Sequence, residues 1–162
     1  MYEPCRHRDW SDEASGVATR GKVIRMKYIT REYVRAHPDV LFVFGDNMAR
    51  RGMGGQAKAM RGEPNAIGVP TKWLPERTRG AYFVDHDVHN RLVNEEITAA
   101  FGRIMEHVMN RKDVVFPEDG LGTGLAELPT RAPKVHALIE RLTTIVVTYS
   151  ETGHSNDPLF MI

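Results

Sequence analysis

The chain has 162 residues, of which 41% are hydrophobic and 27% charged, and its 22 Lys and Arg against 21 Asp and Glu give a net charge of +1. This length favours one domain with a single core, and the balanced charge excludes a global field that would attract nucleic acid or an anionic membrane. A single cysteine, Cys5, excludes an internal disulfide. The charged N-terminus and the short apolar runs argue against a signal peptide and a membrane span, so we expect a cytoplasmic protein.

Predicted strands and helices alternate along the chain. Strand patterns occur at residues 22–28, 40–44, 66–69, 81–84 and 113–117, and helical spacing occurs after Thr30, at 92–108 and at 129–142. Residues 143–149 are β-branched and fit a last strand or an extension of the preceding helix equally well. The order predicts an α/β fold, a three-layer α/β/α sandwich with a mixed, mostly parallel sheet. We expect an arm at residues 1–21, a domain at 22–149 and a loose tail at 150–162.

A glycine-rich segment follows each of two buried strands. Gly45 ends the first strand, and three more glycines lie at positions 52, 54 and 55 before a helix-forming segment that starts at Gln56. The second segment carries Gly120, Gly122 and Gly124. Glycine lets backbone N–H groups approach an anion closely, and a helix N-terminus adds partial positive charge. Two such segments at neighbouring strand ends predict a diphosphate-binding site, although each segment alone would more often be only a turn.

Polar side chains beside these segments have two interpretations each. Asp46 and Asn47 point into a crevice or cap the turn, and we weigh these equally. Gln56 lies in the first turn of the predicted helix, where it contacts a ligand or only water. Lys72 follows a short buried strand, where a desolvated amine becomes a nucleophile or a phosphate partner. The alternative for Lys72 is a solvated loop lysine beside a packed Trp73.

Two further clusters have weaker signals. Asp85, His86, Asp87 and His89 resemble metal ligands, but no second cluster accompanies them, so we favour a helix cap and predict no metal and no cofactor. The basic residues at positions 50, 51, 58 and 61 either steer an anionic ligand or form a solvated face.

Three segments, in this order, resemble the macrodomain superfamily, which binds ADP-ribose. They are Asp46–Ala57, Val69–Lys72 and Phe116–Leu128, and the likeness spans residues 40–142. The chain is most similar to the branch of DNA ADP-ribosyl glycohydrolase antitoxins and related protein ADP-ribosyl hydrolases. It departs from that pattern at Gly55, where lysine is usual, and at Ala126, where the protein-directed enzymes place an aspartate. The DNA-directed antitoxins also lack this aspartate, so the comparison leans toward them.

The resemblance implies an enzyme that removes ADP-ribose from modified nucleic acid or protein, with Lys72 as the catalytic residue at the distal ribose. The alternatives are a non-catalytic binder of ADP-ribose or of another NAD-derived nucleotide, and a structural module whose glycines only make turns. The partner would be ADP-ribose or ADP-ribosylated DNA or protein, with no membrane involved and an oligomeric state left open. The ligand-binding residues would be Asp46, Asn47, Gly52, Met53, Gly54, Gly55, Gln56, Thr71, Gly120, Gly122, Thr123, Gly124 and Leu125.

Overall fold

A computed structural model describes residues 20–154 of the chain. Strands and helices alternate along these residues, as predicted, and two short 3₁₀ helices lie at Arg79–Ala81 and Asp85–His89. The elements in chain order are β1 (Val23–Met26), α1 (Arg31–Ala36), β2 (Leu41–Asn47), α2 (Ala57–Met60), β3 (Ala66–Lys72), α3 (Arg91–Met109), β4 (Val114–Pro117), α4 (Leu128–Arg131) and α5 (Pro133–Thr152).

The four strands form one sheet in the order β1-β4-β2-β3, and every pairing among them is parallel. The antiparallel pairing in the described residues is an isolated bridge between Lys72 and Tyr82. Strands β2 and β4 pair only at Leu41 and Phe42, so they separate toward their carboxyl ends. After β2 the chain continues to β3, on one side of this gap. After β4 it continues to α5, which contacts β1 on the other side. Such a point of reversal is where open α/β sheets bind ligands.

Helices cover both faces of the sheet, which confirms the predicted three-layer α/β/α class. Phe42 and Phe44 pack with α1 and α2 on one face, together with Val115. Val43 and Phe116 point to the opposite face, where they pack against α3 and α5. Because alternate residues of a strand point to opposite faces, a central strand covered on both sides must be apolar throughout. This explains the unbroken apolar run of residues 40–44.

The last predicted segment is helical. Thr143–Tyr149 lies inside α5, whose fully buried residues Val135, Ile139 and Val146 recur at helical spacing. The hydroxyl of buried Thr143 donates to the Ile139 carbonyl over 2.8 Å, which removes the polar penalty of placing threonine in the helix. The extension of the helix is therefore the correct alternative, and α5 continues to Thr152 before Gly153 ends it with a φ of 74°.

The strand predicted at residues 81–84 is wrong. The chain makes a 3₁₀ turn through Ala81, and only the bridge from Tyr82 to Lys72 resembles sheet pairing there. The carboxylate of Asp87 accepts the Val84 N–H over 2.8 Å and turns the chain into the second 3₁₀ helix.

The proposed arm and tail lie mostly outside the described residues, which exclude Cys5. At the boundary, Arg20 donates to the carbonyls of Ser150 and Glu151, so it contacts the C-terminal end of α5. Among the helices within residues 20–154, none combines the length and the apolar character that crossing a bilayer requires.

Candidate functional site

A cavity of about 320 Å³ lies beyond the carboxyl ends of β2 and β3. Three loops line it: the first glycine loop (residues 48–56), the β3 loop (residues 73–78) and the second glycine loop (residues 118–127). Of the predicted site residues, Met53, Gly120 and Thr123 are not among those lining the cavity. Those that do line it are Asp46, Asn47, Gly52, Gly54, Gly55, Gln56, Thr71, Lys72, Gly122, Gly124 and Leu125. They are joined by two arginines of the predicted basic patch, Arg51 and Arg61, and by four residues that were not predicted as site residues, Gly45, Ala57, Pro75 and Ala126.

The two glycine loops face each other across this cavity. A Cβ placed on Gly54 would lie 3.2 Å from Cδ1 of Leu125 in the second loop. A Cβ on Gly45 would lie 3.5 Å from the Gly122 nitrogen. Sequence spacing predicted that the loops converge, and the structure brings them together at the gap between β2 and β4.

Both loops carry backbone N–H groups that have no acceptor in the described part of the chain. Within residues 20–154, no hydrogen bond to a protein acceptor is formed by the N–H groups of residues 52–56 or of residues 121–126. Most of these residues line the cavity. Successive backbone N–H groups in glycine-rich turns form concave sites for anions. The arrangement therefore suits a ligand with two adjacent anionic groups.

The carboxylate of Asp46 is already engaged by the protein. It accepts hydrogen bonds from both terminal nitrogens of Arg61, one of them at 3.2 Å, from Arg50 at 3.3 Å and from the Asn47 N–H at 2.8 Å. Arg50 extends this network to Glu96 over 2.7 Å. Asp46 is 6% exposed, and such a buried carboxylate is stable only with partners of this kind. These contacts anchor Arg61 beside the cavity.

Arg61 in turn fixes the first glycine loop. Its Nε donates to the Gly52 carbonyl over 2.6 Å, and Nη2 donates to the Arg51 carbonyl over 3.3 Å. The guanidinium also lies over the Phe44 ring, 5.6 Å from the ring centroid. Sequence reasoning identified Arg61 only as part of a basic patch, because its contacts depend on a loop that returns over β2.

The amide side chains of the site shape the turn. Asn47 donates from Nδ2 to the Arg51 carbonyl over 2.7 Å, and Gln56 accepts the Gly45 N–H over 2.8 Å. Gln56 is the N-cap residue of α2 and lies outside its first turn. Thr71 donates from its hydroxyl to the Asp46 carbonyl over 3.0 Å. Asn47 therefore holds the turn and also lines the cavity. Gln56 is not merely solvated, because its side chain accepts the Gly45 N–H, and it too lines the cavity.

Lys72 lies at the end of β3 and is 7% exposed, so the solvated-loop alternative is wrong. Its Nζ donates to the Glu76 carbonyl over 2.8 Å and lies 4.2 Å from the centroid of the Tyr82 ring. Arg131 contacts the same ring at 3.7 Å. Burial lowers the pKa of Lys72, and the charge of Arg131 lowers it further, whereas Glu127 and Glu76 raise it. A lowered pKa increases the fraction of neutral, nucleophilic amine.

The aspartates of residues 85–89 are structural. Asp87 accepts hydrogen bonds from Trp73 Nε1 over 3.2 Å and from the Val84 N–H over 2.8 Å. Asp85 accepts the Lys134 N–H over 2.9 Å at the start of α5. In the described part of the chain, no group of three His, Cys, Asp or Glu side chains is arranged to hold a metal.

The fold and the cavity define an α/β protein with a crevice between two glycine loops at a reversal point of a parallel sheet. Residues 24–142 match a family described as "Family of unknown function (DUF7831)", and the chain belongs to this family. The match includes every residue that lines the cavity. Neither the curated proteins nor the solved structures contain a significant match to the chain.

Proposed function

We propose that the protein is a macrodomain-type ADP-ribosyl glycohydrolase, which binds ADP-ribose in the cavity and removes it from modified nucleic acid or protein. The observation that carries this proposal is the pair of facing glycine loops, whose N–H groups donate to no acceptor among residues 20–154, beside a buried lysine. A diphosphate suits two runs of N–H donors that lie on opposite sides of one cavity. The resemblance of three ordered segments to the macrodomain superfamily supports ADP-ribose as the nucleotide.

In the proposed complex the diphosphate lies between the first and second glycine loops, and the distal ribose lies toward Lys72. The lone pair of the neutral amine forms a bond to C1 of this ribose while the bond from C1 to the modified group breaks. The resulting ammonium gives its proton to the leaving group, and water then displaces the lysine and regenerates the amine. Both steps pass through an oxocarbenium-like state, which the adjacent diphosphate charge stabilises.

A non-catalytic binder is the second candidate, and the contacts of Lys72 favour it. The Glu76 carbonyl and the face of Tyr82 both stabilise an ammonium. The negative charges of Glu127 and Glu76 also oppose the effect of burial on the pKa of Lys72. An ammonium that remains protonated would bind the distal ribose or a phosphate without attacking C1. The two candidates share the same ligand and differ in turnover.

Calorimetry with ADP-ribose tests binding, and release of ADP-ribose from a modified DNA oligonucleotide and from a glutamate-modified protein tests turnover. Lys72→Ala and Lys72→Arg are the matched variants, since arginine keeps the charge but is not deprotonated. We expect wild type to release ADP-ribose from one of the substrates and both variants to be inactive while they still bind. Binding without release by wild type supports the binder. If wild type does not bind ADP-ribose, both the glycohydrolase and the binder of ADP-ribose are wrong.

A further inference from the structure

A salt bridge connects two of the loops that line the cavity. Nη2 of Arg51, in the first glycine loop, lies 2.6 Å from Oε1 of Glu76, in the β3 loop. The two side chains are 59% and 41% exposed, and Arg51 lines the cavity. An ion pair with this exposure contributes little to stability, so exchange of one partner for another anion is easy.

The Glu76 end of this bridge is incompletely satisfied. Its second carboxylate oxygen, Oε2, is buried and receives no hydrogen bond from residues 20–154. A buried carboxylate oxygen without a donor is unfavourable, and the contact with Arg51 alone does not correct it. On the other side, the bridge occupies only Nη2 of Arg51, and the remaining guanidinium nitrogens donate to no acceptor in the described part of the chain. Both partners therefore have unused capacity in the resting state.

We infer that Arg51 binds an anionic group of the ligand and that Glu76 is the counter-ion from which Arg51 is released when this group enters. This inference rests on the proposed function, because it assigns the diphosphate of ADP-ribose as the anion. A diphosphate presents several oxygens to a planar guanidinium, which favours a two-point contact over the single contact with Glu76. Once released, the Glu76 carboxylate gains access to water. Glu76 therefore competes with the ligand for Arg51.

The alternative to this inference is that the bridge only holds the two loops together. Whether Glu76→Gln tightens or weakens ADP-ribose binding distinguishes the two. We expect Arg51→Ala to weaken ADP-ribose binding about tenfold, the usual effect of losing one charge-assisted contact. Glu76→Gln removes the competitor, so we expect it to tighten binding by about two- to fivefold, which corresponds to an exposed ion pair. Adenosine lacks phosphate, and its affinity should not change in either variant. Glu95→Gln breaks the exposed Arg91–Glu95 bridge on α3 and serves as the matched control without effect.

Calorimetry with ADP-ribose, inorganic pyrophosphate and adenosine gives a clear result in each case. If Glu76→Gln weakens ADP-ribose binding as Arg51→Ala does, the bridge is a brace and the inference is wrong, although the proposed function stands. If wild type binds pyrophosphate but not ADP-ribose, and Arg51→Ala loses the pyrophosphate, the role of Arg51 is supported and the proposed function is wrong. If wild type binds neither compound, both are wrong. Melting curves of each variant show that it remains folded.

Discussion

The two glycine loops face the same cavity but are held by different forces. The first loop is held by an ion pair: Arg61, which pairs with Asp46, donates hydrogen bonds to two carbonyl groups of the loop. The second loop is fixed by packing: a Cβ on Gly122 would lie 2.3 Å from Cδ1 of fully buried Leu128, whose N–H donates to the Gly122 carbonyl over 2.9 Å. An ionic support is sensitive to the loss of one charge, and a packed support is sensitive to one added methyl group.

Loss of the Asp46–Arg61 ion pair should have the largest effect on the free energy of unfolding. Asp46→Ala leaves Arg61, whose side chain is 19% exposed, without its carboxylate partner. Breaking a buried ion pair on one side costs about 3–5 kcal/mol in the free energy of unfolding. Urea unfolding measures this loss, and Glu95→Gln, which breaks a fully surface pair, should change the value by less than about 0.5 kcal/mol. A loss below about 1 kcal/mol for Asp46→Ala would show that the pair does not support the fold.

The packed support is tested by one added methyl group. Gly122→Ala places a Cβ against Leu128 and keeps a φ of 77°, which side chains rarely adopt. Overpacking and backbone strain together should lower the free energy of unfolding by about 3 kcal/mol. Gly124→Ala is the matched control, because a Cβ there meets no atom within 4 Å. Equal unfolding midpoints for the two variants would contradict the assignment of Gly122 to the packed support.

The contact between the two loops should have a small effect on stability and a larger one on ligand binding. A Cβ on Gly54 would lie 3.2 Å from Leu125, which is 55% exposed and has room to move. Gly54→Ala should therefore lower the free energy of unfolding by less than about 1 kcal/mol. Because the added methyl group narrows the space between the two glycine loops, it should weaken ADP-ribose binding about tenfold. The double variant with Leu125→Ala should recover most of this affinity in calorimetry. Failure of the recovery would mean that the methyl group acts through the loop backbone instead.

The contrast between the loops also shows what the sequence is able to predict. Strand and glycine positions are local features, so the fold class, the two glycine loops and the position of Lys72 at a strand end were predictable. The partners of Asp46 were not, because Arg61 reaches it only after the chain has turned through α2. Residues 81–84 misled the prediction because their apolar pattern reflects packing of Phe83, not sheet pairing.

The smallest expected effect is a change in the pKa of Lys72 when a neighbouring charge is removed. Four charged groups act on its amine: Glu127 and Glu76 raise its pKa, and Arg131 and Arg77 lower it. Removing a negative charge destabilises the ammonium, so Glu127→Gln should lower the pKa of Lys72 further below its ordinary value of 10.5. The shift should be small, because the Glu127 side chain is 49% exposed and water screens its charge.

Carbon NMR titration of Lys72 Cε, assigned by its loss in Lys72→Arg, measures this pKa without relying on turnover. Because the folded-state pKa lies below that of the unfolded chain, the unfolded state binds more protons between the two values, and stability should rise with pH in that interval. If the protein is a glycohydrolase, its rate should rise over the same titration, and Glu127→Gln should move both midpoints to lower pH together. A rate midpoint that stays fixed while the NMR midpoint moves would show that the neutral amine of Lys72 does not act in the reaction.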